Sequence, residues 1–130
     1  MTMNEYQRLA QRTSNTTTYS GKLENAILGI SGEGGECADL FKKYLFQGHE
    51  LDKAKLAEEG GDLLWYIAEL ASGLGITLEE LAQRNVDKLK GRYPDGFDPE
   101  RSIHRSEYTE RGPKGVQGNG FLFQRRNKTI

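Results

Sequence analysis

The chain is short of several things, and each shortage removes a class of protein. It has one cysteine, Cys37, in 130 residues, so no internal disulfide can form and a reducing, cytoplasmic setting is expected. It has no surplus of positive charge: 18 Lys plus Arg stand against 19 Asp plus Glu, a formal net charge of -1. That balance excludes the broad basic field of a dedicated nucleic-acid binder, so any phosphate chemistry must be local. No apolar run reaches the ~18 residues of a membrane span, and the N-terminus turns polar too early for a secretory leader, so no membrane partner is expected. No tandem repeat of ~20 to 50 residues is visible, and the length suits one domain.

What is present is helical periodicity. Asn4 to Arg12 has helix-forming composition and gives way to Thr13-Ser14-Asn15-Thr16-Thr17-Thr18, side chains that compete for backbone hydrogen bonds and favour a loop. Leu23, Ile27, Ile30, Cys37, Phe41 and Tyr44 recur at helical spacing and predict a second helix to about Phe46. Cys37 on that stripe reads as a small buried hydrophobe. Asp52 is placed to cap a third helix, whose stripe Leu56, Leu63, Ile67, Leu70 and Leu74 runs until Gly73 and Gly75 interrupt it. The second and third helices should form an antiparallel hairpin. Thr77-Leu78-Glu79-Glu80 matches a capping box and predicts a fourth helix from Leu78 to about Gly91, stopped by Pro94-Asp95-Gly96. From Phe97 onward the chain reads as irregular, and Phe121-Leu122-Phe123 suggests that this C-terminal arm docks on its own domain or on a neighbouring subunit. The expected architecture is all-α, an antiparallel bundle of about four helices over 1–105 with an irregular arm over 106–130.

Gly32-Glu33-Gly34-Gly35-Glu36 is echoed by Glu58-Glu59-Gly60-Gly61-Asp62. Each holds two acids three residues apart, so each helix presents two carboxylates side by side. Counting from the turn near Gln47 to Leu51 at ~1.5 Å per residue puts both pairs at similar heights in the hairpin, where four carboxylates can converge. Each acid also lies a helical step from the apolar stripe. Carboxylates ~5 Å apart at an effective dielectric of ~20 repel by roughly 3 kcal/mol, a conflict that a hard divalent cation resolves. With only oxygen donors at hand, Mg²⁺ fits, or Mn²⁺, rather than zinc. Four glycines inside two helices cost roughly 1 kcal/mol each against alanine, which suggests close helix contact or close approach of a ligand. One such pair alone reads as a solvated helical face; two together, glycine-flanked and inward in phase, favour a ligand.

The fourth helix supplies the opposite charge. Asn85, Lys88 and Arg92 share one face and suit a triphosphate, although Lys88 and Arg92 also fit as ordinary cations near a helix C-terminus. Tyr66, one turn after Asp62, fits a ligand contact or a core tyrosine equally. Trp65 reads as core, Asp39 as a partner for Lys42 or Lys43, and His49 and His104 as surface residues.

Taken together, Gly32 to Lys43, Glu58 to Tyr66 and Asn85 to Pro94 resemble the MazG-like nucleotide pyrophosphohydrolases, over about Glu5 to Arg105. The acid motif, with 22 residues between its halves, is specific when joined to the Asn-Lys-Arg stretch. Glycine at both 60 and 61 departs from the family's usual run. The resemblance implies an all-α NTP pyrophosphatase fold, a homodimer or homotetramer with its site at or near a subunit interface, and conversion of a nucleoside triphosphate and water to the monophosphate and pyrophosphate. It implies Glu33, Glu36, Glu59 and Asp62 as Mg²⁺ ligands, Lys88 and Arg92 at the phosphates, and Asn85 at sugar or phosphate. Glu36 or Glu33 would then accept the proton of the attacking water. The rivals are a different metal-dependent phosphohydrolase and a helical regulatory module that binds nucleotide without hydrolysing it.

Overall fold

The computed structural model describes residues 1–104, so the expected arm over 106–130 and its Phe121-Leu122-Phe123 triplet lie outside the described residues. The chain divides into two units, Met1–Pro94 and a second beginning at Asp95. Among the described residues every regular element is helical: α1 (Met3–Ala10), a short 3₁₀ turn (Gln11–Thr13), α2 (Tyr19–Phe46), α3 (Lys53–Gly73), α4 (Leu78–Arg92) and α5 (Pro99–Ile103). The all-α reading holds.

Side-chain caps set the helix starts. Thr2 and Glu5 form a reciprocal capping box on α1, Asp52 accepts from the Lys55 amide at 2.9 Å on α3, and Thr77 accepts from the Glu80 amide at 3.0 Å on α4. Each satisfies a backbone donor that has no partner within its own helix. α2 starts a turn earlier than its apolar stripe predicts, because Thr18 accepts from the Gly21 amide at 3.1 Å. The end of the threonine run is therefore a cap and not only a loop. α3 closes on Gly75, whose φ of 70° is left-handed. The Gly75 amide donates to Ser72 O at 3.1 Å and the Ile76 amide to Ala71 O at 3.0 Å, the pair of bonds that satisfies the last carbonyls of a helix. In the second unit, α5 corrects the irregular reading from Phe97: Asp98 accepts from the Glu100 amide at 2.9 Å and Pro99 opens the helix, where a proline's missing donor costs nothing.

α2 and α3 pack antiparallel. Leu23 lies against Gly73, Tyr66 against Gly29, and Glu33 beside Glu59 and Asp62, so positions advance along one helix as they recede along the other. The helices approach where side chains are small: Ala26 is fully buried, and a β-carbon at Gly73 would meet the Leu23 backbone nitrogen at 3.0 Å. Gly34, Gly35, Gly60 and Gly61, by contrast, have no other described part of the chain beyond their own helix backbone within 4 Å of where a β-carbon would sit. Close helix contact at these four is thus overturned; the contact glycines are Gly29 and Gly73.

α1 lies across α3 and the start of α4. Ala10, Ala68, Ala71 and Leu78 form the core, flanked by Tyr6, Trp65, Ile67, Ile76 and Leu81. Gln7 ties the layers together, donating to Ser72 Oγ at 3.0 Å and Ile76 O at 3.1 Å and accepting from the Leu78 amide at 2.7 Å. The stripe of α2 is only partly covered. Leu23, Ile30 and Cys37 are half-buried, but Ile27, Phe41 and Tyr44 are exposed. Leu28, Leu45 and Phe46 are 74%, 60% and 80% exposed. No helix among the described residues is long and apolar enough to cross a membrane.

Candidate active site

Antiparallel packing brings three of the four expected acids to one point. Glu33 of α2 and Glu59 and Asp62 of α3 each place an oxygen within 4.8 Å of the other two. Their surroundings differ: Glu59 is buried, at 5% exposure, Glu33 half-buried and Asp62 exposed. Lys55, one turn before Glu59, donates to its Oε1 at 2.9 Å and also reaches Glu58 at 3.3 Å. The bond to Glu59 and then that to Glu58 raise the proton affinity of the ammonium.

The Glu33 carboxyl titrates above its ordinary value. Burial contributes most, followed by the negative charges of Asp62 and Glu59, a hydrogen bond with Glu59 and the charge of Glu36. The charge contributions, second to burial, are the repulsion that the spacing predicted. Glu36 itself is exposed and is not one of the converging three. One step of i+3 turns it ~60° around the axis from Glu33, away from the line facing α3.

A cleft of about 430 Å³ opens beside these acids, lined by Thr13, Glu33, Asp62, Trp65 and Tyr66. Trp65 and Tyr66 meet edge to face with centroids 4.9 Å apart. Trp65 is half-buried and its indole donates to Ala10 O at 3.0 Å and Thr13 Oγ1 at 2.8 Å, so it is both flank of the core and wall of the cleft. The Tyr6 phenol of α1 titrates above its ordinary value through burial first and the Asp62 charge second. α1 and the 3₁₀ turn therefore contribute to the surroundings of the site.

Residues 22–97 match the model of the MazG nucleotide pyrophosphohydrolase domain. The chain belongs to the MazG nucleotide pyrophosphohydrolase family. A relative called Gene 37 protein, from Mycobacterium phage L5, is 34% identical over 95 residues, covering 64% of this chain and 83% of its own length. No solved structure matches the chain.

MazG domains are generally divalent-metal dependent, and the residues present fit a hard cation. Glu33, Glu59 and Asp62 offer only oxygen donors, and the backbone at Gly34, Gly35, Gly60 and Gly61 is open to approach. Asn85 and Lys88 lie elsewhere within the chain. They line a second cleft, of about 540 Å³, with Met3, Leu64, Ile67, Leu78, Leu81, Ala82 and Arg84. On α3, Leu64 and Ile67 sit on the side opposite Asp62 and Tyr66 by helical periodicity. Arg92 is half-buried in the last turn of α4. Asp39 pairs with Lys42 and with Lys43, the latter at 2.6 Å; hydrogen bonds from these two lysines pull its carboxyl down to about 2. His49 and His104 are exposed, as expected.

The sequence reading missed Tyr6, Thr13, Lys55 and Glu69. Only the last two left a signal: Lys55 stands one turn before Glu59, and Glu69 is an acid at i+7 from Asp62 on the inward face of α3.

Proposed function

We propose that this MazG domain is an Mg²⁺-dependent nucleoside triphosphate pyrophosphohydrolase, converting a (d)NTP and water to the (d)NMP and pyrophosphate by attack at the α-phosphorus. The observation that carries the reading is the convergence of Glu33, Glu59 and Asp62 within 4.8 Å at the edge of the cleft walled by Trp65 and Tyr66. These three acids would hold the ion, with Glu36 as a fourth ligand; Mn²⁺ suits the same donors. A hard divalent cation, when bound there, would supply charge neutralisation for the triphosphate and for the pyrophosphate leaving group. Glu36, exposed and outside the converging three, or Glu33 accepts the proton of the attacking water. Tyr66 offers a ring face to the nucleoside.

The phosphate contacts from Asn85, Lys88 and Arg92 come, in this reading, from a second copy of the chain. Asn85 and Lys88 line the other cleft, and the exposed apolar side chains of α2 (Ile27, Leu28, Leu45, Phe46) and α4 (Val86, Leu89) supply a surface for a homodimer or homotetramer. The test is product analysis by ion exchange or NMR after incubation with a panel of dNTPs and NTPs, with Mg²⁺ and with EDTA. Metal-dependent monophosphate and pyrophosphate are expected. Release of orthophosphate would replace the reading with another phosphohydrolase, and metal-dependent nucleotide binding without product would replace it with a binding module.

A further inference from the structure

One carboxylate lies beyond the acid cluster and is fully buried. Glu69 of α3 has no solvent exposure and accepts from side chains of the segment joining α1 to α2. Gln11 Nε2 donates to Oε2 at 2.7 Å, Ser14 Oγ to Oε1 at 2.8 Å, and Thr16 Oγ1 to Oε1. Lys22 of α2 completes the arrangement, 3.5 Å from Oε2, while its ammonium also donates to Gln11 Oε1 at 2.7 Å and Ser14 Oγ at 2.8 Å. Burial pushes the Glu69 carboxyl up, but the bonds from Thr16, Gln11 and Ser14 and the Lys22 charge outweigh it, and it titrates below its ordinary value. A buried carboxylate is retained only when such partners are present.

The segment so held carries the wall of the cleft. Thr13 sits between Gln11 and Ser14, lines the cleft beside Glu33 and Asp62, and accepts the Trp65 indole donor at 2.8 Å. Asp62, Trp65 with Tyr66, and Glu69 fall at i, i+3/i+4 and i+7, one face of α3. The acid end, the aromatic wall and the clamp thus follow one another along a single helix. We infer that Glu69 is a positioning residue: it fixes Gln11–Thr16 so that Thr13 and Trp65 form the part of the cleft that takes the nucleoside, as distinct from the triphosphate. This rests on the proposed nucleotide site.

The test compares two ligands in Mg²⁺: α,β-imido dNTPs, which carry a nucleoside, and inorganic tripolyphosphate, which does not. Trp65 is the sole tryptophan, so acrylamide quenching of its fluorescence reports the wall without any ligand. Glu69→Gln should increase quenching, weaken the imido dNTP about tenfold, and leave tripolyphosphate within about twofold. Thr16→Val, which removes one donor and keeps the acid, should move the same readouts by less and guards against misfolding of the first variant. Unchanged quenching in both folded variants would overturn the inference, as would equal weakening of both ligands, which marks a general support of the fold. If the wild type binds neither ligand, the nucleotide site is wrong and the inference goes with it; wild-type binding with no selective loss defeats the inference alone.

Discussion

The Tyr66 ring lies directly over Gly29: a β-carbon at Gly29 would fall 2.1 Å from Tyr66 Cε1 and 2.3 Å from Cζ. No real contact is that short, and the ring also meets Trp65 edge to face, with the two planes 86° apart. A glycine inside a helix costs about 1 kcal/mol against alanine, so Gly29→Ala would stabilise α2 if the site were open. Here it must displace the ring. Overpacking of about 1–3 kcal/mol cancels or exceeds the propensity gain, and the ring moves in the cleft that it lines. Gly29→Ala should leave the unfolding free energy equal to or below wild type in urea denaturation and raise KM for the nucleotide. Tyr66→Phe at the same position relationship should keep stability, and a Gly29→Ala protein clearly more stable than wild type would show that the ring is not held where it lies.

Glu59 is the acid least able to be replaced, since it is buried at 5% exposure and touches both Lys55 and the cluster. Glu59→Gln should lower metal-dependent turnover by at least about a hundredfold with helicity unchanged. The readout that needs no nucleotide is thermal. A site that binds only when folded stabilises by about 2.7 kcal/mol at a ligand concentration one hundred times its Kd, several degrees for a chain of this size. Mg²⁺ should therefore raise the wild-type Tm, and the rise should vanish in Glu59→Gln. Without metal the variant should melt close to wild type, because relief of the repulsion with Glu33 and Asp62 is opposed by loss of the Lys55 ion pair.

The helices and the acid cluster were legible in the sequence for the same reason: both are periodic. Asp52 and Thr77 mark starts, Gly75 marks an end, and the spacing from the Gln47–Leu51 turn gave the level at which Glu33 meets Glu59 and Asp62. What local spacing cannot give is rotation and long-range contact. Glu36 shares the motif but not the convergence. Gly34, Gly35, Gly60 and Gly61 attracted attention beside the acids, whereas the close approach occurs at Gly29 and Gly73, ordinary glycines until the opposing residue is known. Thr13 reaches the cleft through an indole 52 residues away, and Glu69 finds its donors 53 to 58 residues away. Such pairs leave no periodic trace.

Asn85 and Lys88 line a cleft separate from that of the acids, which makes the subunit arrangement testable by complementation. Lys88→Ala and Glu59→Gln should each be inactive alone. If Lys88 serves the acids of a second copy, subunits mixed through a denaturation and refolding cycle form hybrids with one intact site. Statistical dimers then regain roughly a quarter of wild-type activity. No recovery in a confirmed hybrid would place Lys88 outside the reaction or within its own chain's site. Phe46→Glu, at a side chain 80% exposed, should shift the molecular mass measured by light scattering toward the monomer.

Glu69 also predicts how stability depends on pH. Its carboxyl titrates below the ordinary 4.5 in the folded protein, so the folded state favours the ionised form. The stability this brings is complete above about 4.5 and is lost as pH falls through the lower folded value. Glu69→Gln removes the titration, leaves Lys22 without its counter-charge, and sets an amide donor where hydroxyl and amide donors already point; a cost of about 1–3 kcal/mol at pH 7 is expected. Other carboxylates, among them Asp39 with its lysines, also give acid sensitivity, but they are common to both proteins and cancel in the difference between the two curves. Urea denaturation of wild type and Glu69→Gln at several values from pH 7 to pH 3 should therefore show a gap that is constant down to about pH 5 and narrows below it. A gap that persists undiminished at pH 3 would assign the cost to the shape of the amide rather than to the buried charge, and the clamp on Gln11, Ser14 and Thr16 would then be one of packing.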